Sequence, residues 1–120
     1  MAKILAVDDS SSMRKMVVFT LMNAGHEVVE AEDGVIGLAK AKKDAFDAII
    51  SDVNMPNMDG LTMISEIRKL PQFRFTPILM LTTESGGNKK QEGRKAGATG
   101  WIVKPFNPDK LIAVINKVLN

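Results

Sequence analysis

The chain has 120 residues, 45% of them hydrophobic and 25% charged, with a formal net charge of +2. At that size a single domain, spanning residues 1–120, buries about two-thirds of its unfolded surface without covalent staples. No cysteine is present, which excludes a disulfide framework, a thiol nucleophile and a thiolate metal site, and the small net charge argues against nucleic acid as a partner.

The first apolar run, "KILAV" (3–7), reads as a strand. It is too short for a signal peptide or a membrane span, so the expected protein is cytoplasmic and makes no membrane contact. "SSSMRKMVVFTLMNAG" (10–25) follows as a helix, with serines to cap it, Met13, Met16, Val17, Leu21 and Ala24 on one face, and Gly25 to end it. His26, in the turn beyond, reads as a surface residue and not a ligand. "EVVEA" (27–31) is the most polar of the strand-like runs and is expected at a sheet edge. "DGVIGLAKAKKD" (33–44) is an amphipathic helix opened by Asp33. "FDAIIS" (46–51) has the unbroken apolar core of a strand covered on both faces.

In the second half, "DGLTMISEIRKLP" (59–71) is a helix capped by Asp59 and stopped by Pro71, and "PILMLT" (77–82) is the fourth strand. "ESGGNKKQEGRKAG" (84–97) contains four glycines and almost no apolar residue. Parallel strands need a crossover, however, and a structureless one of this length is uncommon, so the segment is expected to be a helix weakly anchored at its glycine-rich start. "GWIVK" (100–104) is the fifth strand. "NPDKLIAVINKVLN" (107–120) closes the chain as a helix with Asn107 as cap, Pro108 at its first position and a wide stripe of Leu111, Ile112, Val114, Ile115, Val118 and Leu119. Five strand–helix alternations imply a doubly wound α/β sandwich.

In such a sheet the C-terminal strand ends share one edge, where ligands sit. Reading the ends of the runs gives Asp8 and Asp9 from the first, Asp52 from the third, Thr82 and Thr83 from the fourth, and Lys104 before Pro105 from the fifth. Each alone has an ordinary structural explanation. Together, three carboxylates at one edge repel unless something positive joins them. Hard oxygen donors in a chain without cysteine suit Mg²⁺, which takes one or two carboxylates, waters and a phosphate. Asp47 lies five residues before Asp52, about 16 Å along an extended strand, and is therefore expected at the opposite edge.

With "VDDSSSMR", "SDVNMPNMDG", "LTTES" and "GWIVKPF" in this order, the whole chain resembles the receiver domains of two-component response regulators, and most closely the single-domain chemotaxis receivers of the CheY type. The resemblance implies a flavodoxin-like (βα)5 fold with a five-stranded parallel sheet in strand order 2-1-3-4-5. It implies that Asp52 accepts a phosphoryl group from a histidine kinase of the CheA type. Asp9, Asp52 and the backbone carbonyl of Asn54 match the family's Mg²⁺ ligands, with Asp8 assisting through water. Thr82 and Lys104 match the groups that contact the phosphoryl oxygens, and the Lys104–Pro105 bond is usually cis in the family. Asn54 and Glu84 match positions that tune dephosphorylation. Thr82 and Trp101 match the switch pair, although most members carry tyrosine or phenylalanine where this chain has Trp101. The protein is then a phosphoacceptor that assists its own phosphorylation and dephosphorylation rather than an enzyme acting on others. It is expected to be a monomer whose α4–β5–α5 face binds a flagellar motor switch or other output protein, with a phosphatase as a further partner of the family.

Other readings share parts of this pattern. A phosphorelay intermediate passing its phosphoryl group to another histidine protein would look much the same. A flavodoxin-like FMN protein would offer hydroxyls and amides in its first loop, where "DDS" presents two negative charges. A haloacid-dehalogenase-type aspartate phosphatase would need an Asp-x-Asp pair and room for a cap domain, and here the pair is adjacent and the chain short.

Overall fold

The structure is a computed structural model that describes residues 2–83 and 87–119, and the side chains of all of these except 87–90. Strands β1 (Lys3–Val7), β2 (Glu27–Ala31), β3 (Ala48–Asp52), β4 (Ile78–Thr82) and β5 (Gly100–Val103) alternate with helices α1 (Ser11–Asn23), α2 (Gly34–Lys43), α3 (Gly60–Arg68), α4 (Gly87–Ala96) and α5 (Pro108–Leu119). The strands form one parallel sheet in the order β2-β1-β3-β4-β5. This is the order that the resemblance implied, and β2 lies at an edge as its polarity suggested.

Alternation along each strand builds two cores. Leu5, Val7, Ile49, Ile78 and Met80 point to the side covered by α2, α3 and α4, where Ala41, Met63, Ile64 and Ile67 meet them. Ile4, Ala6, Ala48, Ile50, Leu79, Leu81 and Ile102 point the other way, onto Val17 and Leu21 of α1 and Leu111 and Ile115 of α5. Burial on both faces is why β1, β3 and β4 read as unbroken apolar runs.

The helix starts follow capping chemistry. The side chains of Ser10, Asp33 and Asp59 accept hydrogen bonds from the backbone N–H groups of Met13, Ile36 and Thr62, and Asn107 Oδ1 accepts from Lys110 N–H at 2.8 Å.

Several sequence-based expectations need correction. β3 begins at Ala48, because Phe46 is buried but already off the ladder, and ends at Asp52. α3 ends at Arg68 instead of running to Pro71, and Pro71–Phe73 forms a separate short 3₁₀ turn whose Phe73 stacks with Phe46 at 6.5 Å between ring centroids. On α1, Ala24 is exposed, whereas Thr20 is buried and donates its hydroxyl to Met16 Sδ. His26 is half-buried, and its Nδ1 accepts the Ala2 N–H. The expected weak anchoring of α4 fell on its glycine-rich start, part of which (84–86) lies outside the described residues.

Candidate functional site

Register brings the site together. Val7 pairs with Ala31 and Ser51, Asp52 with Leu81, and Thr82 with Val103, so the residues that end β1, β3, β4 and β5 arrive at one edge. There one carboxylate oxygen from each of Asp8, Asp9 and Asp52 lies within 4.8 Å of the others. Lys104 Nζ stands 3.3 Å from Asp52 Oδ1 and 3.7 Å from Asp8 Oδ2. Thr82 is buried at the end of β4, and Thr83 beside it is exposed. The Lys104–Pro105 peptide is cis, as the resemblance implied. Asp47 is at the other end of β3, where its Oδ2 accepts the Lys3 N–H at 2.8 Å. It takes no part in the cluster.

The three carboxylates are held differently. Asp9 is exposed. Asp52 Oδ1 accepts the N–H of Val53 at 2.8 Å. Asp8 is 2% exposed; its Oδ1 accepts the Ser10 N–H at 2.9 Å, and its Oδ2 is the one buried side-chain oxygen among the described residues with no hydrogen-bond partner. Burial pushes the Asp8 carboxyl above its ordinary range. The Ser10 N–H and Lys104 oppose that shift, and the neighbouring Asp52 and Asp9 add to it. A buried acceptor with no hydrogen bond, beside two further carboxylates and one lysine, is the donor set that a hard divalent cation completes.

The backbone around the cluster is braced by groups that sequence reading passed over. Arg14, nearly buried on α1, donates from one terminal nitrogen to the Asp8 carbonyl at 2.7 Å and from Nε to Glu30 Oε1 at 3.0 Å. An arginine whose target is a backbone carbonyl leaves no sequence signature. At the start of α3, a Cβ on residue 60 would run into the Asp52 carbonyl, so Gly60 allows the helix to begin against the strand end. The Ser51 hydroxyl donates to that same carbonyl at 2.8 Å.

Of the other expected residues, Asn54 is exposed on the 53–59 loop and Glu84 lies outside the described residues. Trp101 is half-buried on β5, opposite Met80, with the Arg94 guanidinium 5.1 Å from its ring centroid. Ala98 packs against the same core as Trp101.

Residues 4–116 match the family model described as the response regulator receiver domain. The chain belongs to the response-regulator receiver family. This receiver is 42% identical over 119 residues to the chemotaxis protein CheY1 of Helicobacter pylori, covering 98% of this chain and 96% of that protein. Against the crystallised Vibrio cholerae chemotaxis protein CheY4 it has 58% identity and a TM-score of 0.95 over 98% of each chain. The receiver domain of a Pseudomonas aeruginosa sensor histidine kinase, whose structure has a magnesium ion coordinated in its active-site cleft, is 26% identical with a TM-score of 0.92, covering 98% of this chain and 97% of that one. As a receiver of this type, the chain places a three-carboxylate cleft at the point of the sheet where the strand order reverses between β1 and β3. Among the described residues no helix is long and apolar enough to cross a membrane.

Proposed function

We propose that this receiver, working as one unit over residues 1–120, takes a phosphoryl group onto Asp52 from a phosphohistidine of a CheA-type kinase in the cytoplasm and signals in chemotaxis by presenting its α4–β5–α5 face to an output protein such as the flagellar motor switch. The observation that carries the reading is the Asp52 carboxylate at the end of β3, 3.3 Å from Lys104 and grouped with Asp8 and Asp9. The chemotaxis names of the relatives support the pathway.

In the proposed reaction an Asp52 carboxylate oxygen attacks phosphorus, the P–N bond breaks, and the released imidazole takes up a proton. Such transfers need positioning and charge neutralisation more than covalent help. Mg²⁺ held by Asp9, Asp52 and the Asn54 carbonyl, with Asp8 behind them, would neutralise charge on the transferred oxygens. Lys104 supplies a fixed positive charge beside the acceptor, and the Thr82 hydroxyl is the donor for the attached phosphoryl group. Incubation with acetyl phosphate and Mg²⁺, then borohydride trapping, should mark residue 52; a mark elsewhere overturns the assignment.

Two further outcomes are expected. Asp9→Ala removes a direct ligand of the proposed site and should weaken Mg²⁺ binding by more than the roughly tenfold that partners behind a ligand contribute, while Asp47→Ala, at the other end of β3, leaves it unchanged. Calorimetric titration reads both, and equal losses would place the cation elsewhere. The second concerns Trp101, the sole tryptophan. If it moves inward when Thr82 is drawn to the phosphoryl group, its emission should change on adding beryllofluoride with Mg²⁺, and Thr82→Ala should weaken that change. Constant emission alongside a rising affinity for the output partner would make Trp101 packing only.

A further inference from the structure

The 53–59 loop joins the acceptor strand to α3, and in the reading above it carries the Asn54 carbonyl to the cation. Its backbone closes at its ends, where the Gly60 N–H donates to the Val53 carbonyl at 2.8 Å. In between, the Met58 N–H reaches back to the Pro56 carbonyl at 2.7 Å, and the intervening Asn57 sits at φ 68°. That conformation is costly for a residue with a side chain. It persists where the surroundings enforce it, and asparagine tolerates it best after glycine.

The enforcing contact comes from another element. Asn57 Nδ2 donates to Asp33 Oδ2 at 2.7 Å, while Asp33 Oδ1 accepts the Ile36 N–H at 2.9 Å and caps α2. Asp33 is 7% exposed, while Asn57 reaches it from the exposed side of the loop, so the bond is part-buried. The neighbouring backbone adds a second tie, from the Gly34 N–H to the Met58 carbonyl at 3.2 Å. A Cβ on residue 34 would collide with that carbonyl, so glycine there lets the helix start and the loop touch. The loop is thus clasped to the rigid first turn of α2 and not left to its own turn geometry. The negative charge of Asp33 is itself favoured at that helix end.

We propose that Asp33 and Asn57 are positioning residues for the cation site: their hydrogen bond fixes the 53–59 loop against α2, and with it the Asn54 carbonyl and the Asp52 carboxylate. The proposal rests on the reading of the cleft as a Mg²⁺ site. It assigns to Asp33 a second role beyond capping, and variants separate the two. Asp33→Ser keeps a cap acceptor for Ile36 but is too short to reach Asn57. Asn57→Gly removes the clasp while relieving the backbone at φ 68°, so the fold is retained. Asp33→Asn keeps a cap acceptor and, once the Asn57 amide turns over, a hydrogen bond to it.

Mg²⁺ affinity of the full chain, measured calorimetrically, should fall about tenfold in Asp33→Ser and in Asn57→Gly, the scale on which partners behind a ligand act. The double variant should lose no more than either alone, Asp33→Asn should stay close to the unaltered protein, and amide exchange across residues 53–58 should quicken in both single variants. Undiminished affinity in the two single variants, or losses that add in the double variant, would overturn the clasp while leaving the cation reading intact. If the unaltered protein binds no Mg²⁺, the reading of the cleft fails and the clasp fails with it.

Discussion

Asp52→Asn should accept no phosphoryl group from acetyl phosphate or a phosphorylated kinase, a loss of about a thousandfold or more, as when a nucleophile is removed from an otherwise intact site. The amide is isosteric, so the Val53 N–H can still be accepted and the β3–β4 pairing with Leu81 is kept. What disappears is the anionic oxygen. Asp8 and Asp9 are close enough to serve as substitutes in principle, since their oxygens share the 4.8 Å cluster. Asp8, though, is buried with a raised pKa. Asp9 is exposed and carries no ion pair to Lys104 among the described residues. Of the three, Asp52 stands nearest the lysine. Lys104→Met should therefore slow transfer to Asp52 by about a hundredfold, the usual scale for removing one preorganised charge-stabilising group, while the site of labelling stays the same. Radiolabel counting and peptide mapping measure both. Full labelling of Asp52→Asn at another residue would move the acceptor.

How much of this was legible beforehand differs by element. β1 and β2 have the expected bounds because Asp8 and Glu32 end apolar stretches with charge, whereas Phe46 joined the third run on hydrophobicity alone and turned out to be core packing beside the strand. A run of apolar residues shows burial, and a short one does not show pairing. The same limit explains Thr20, a polar residue skipped on a helix face where its hydroxyl is satisfied by Met16. The acidic cluster was readable since strand ends are ordered by topology: once the alternation of strands and helices was seen, Asp8, Asp9, Asp52, Thr82 and Lys104 had to share an edge. Strand order came only from the resemblance, because spacing does not say which strands pair. Arg14, Gly60 and the Asp33–Asn57 contact were not readable. Each acts on backbone or across a long sequence separation, 24 residues in the case of Asp33 and Asn57, and such contacts leave no local pattern.

Asp8 carries the prediction that ties stability to the site. Its folded-state carboxyl is raised above the ordinary 3.8, with burial as the leading cause, so the folded chain holds this proton more tightly than the unfolded chain does. For a carboxyl shifted in this direction, the favourable contribution is complete below pH 3.8 and is lost as pH rises through the folded value. At neutral pH without divalent cation, Asp8 is therefore a destabilising residue. Asp8→Asn removes the buried charge, so it should raise neutral-pH stability and flatten the decline in stability above about pH 4. Mg²⁺ should narrow the difference: a hundredfold excess over the dissociation constant adds about 2.7 kcal/mol to a protein that binds it only when folded, and the asparagine variant, lacking one carboxylate, should gain less. Urea unfolding at pH 5 and pH 7, with and without Mg²⁺, measures all four states. A variant less stable than the unaltered protein at pH 7 in chelator would mean that the Asp8 carboxylate supports the fold directly, and that its lone oxygen is not a cost held for the cation.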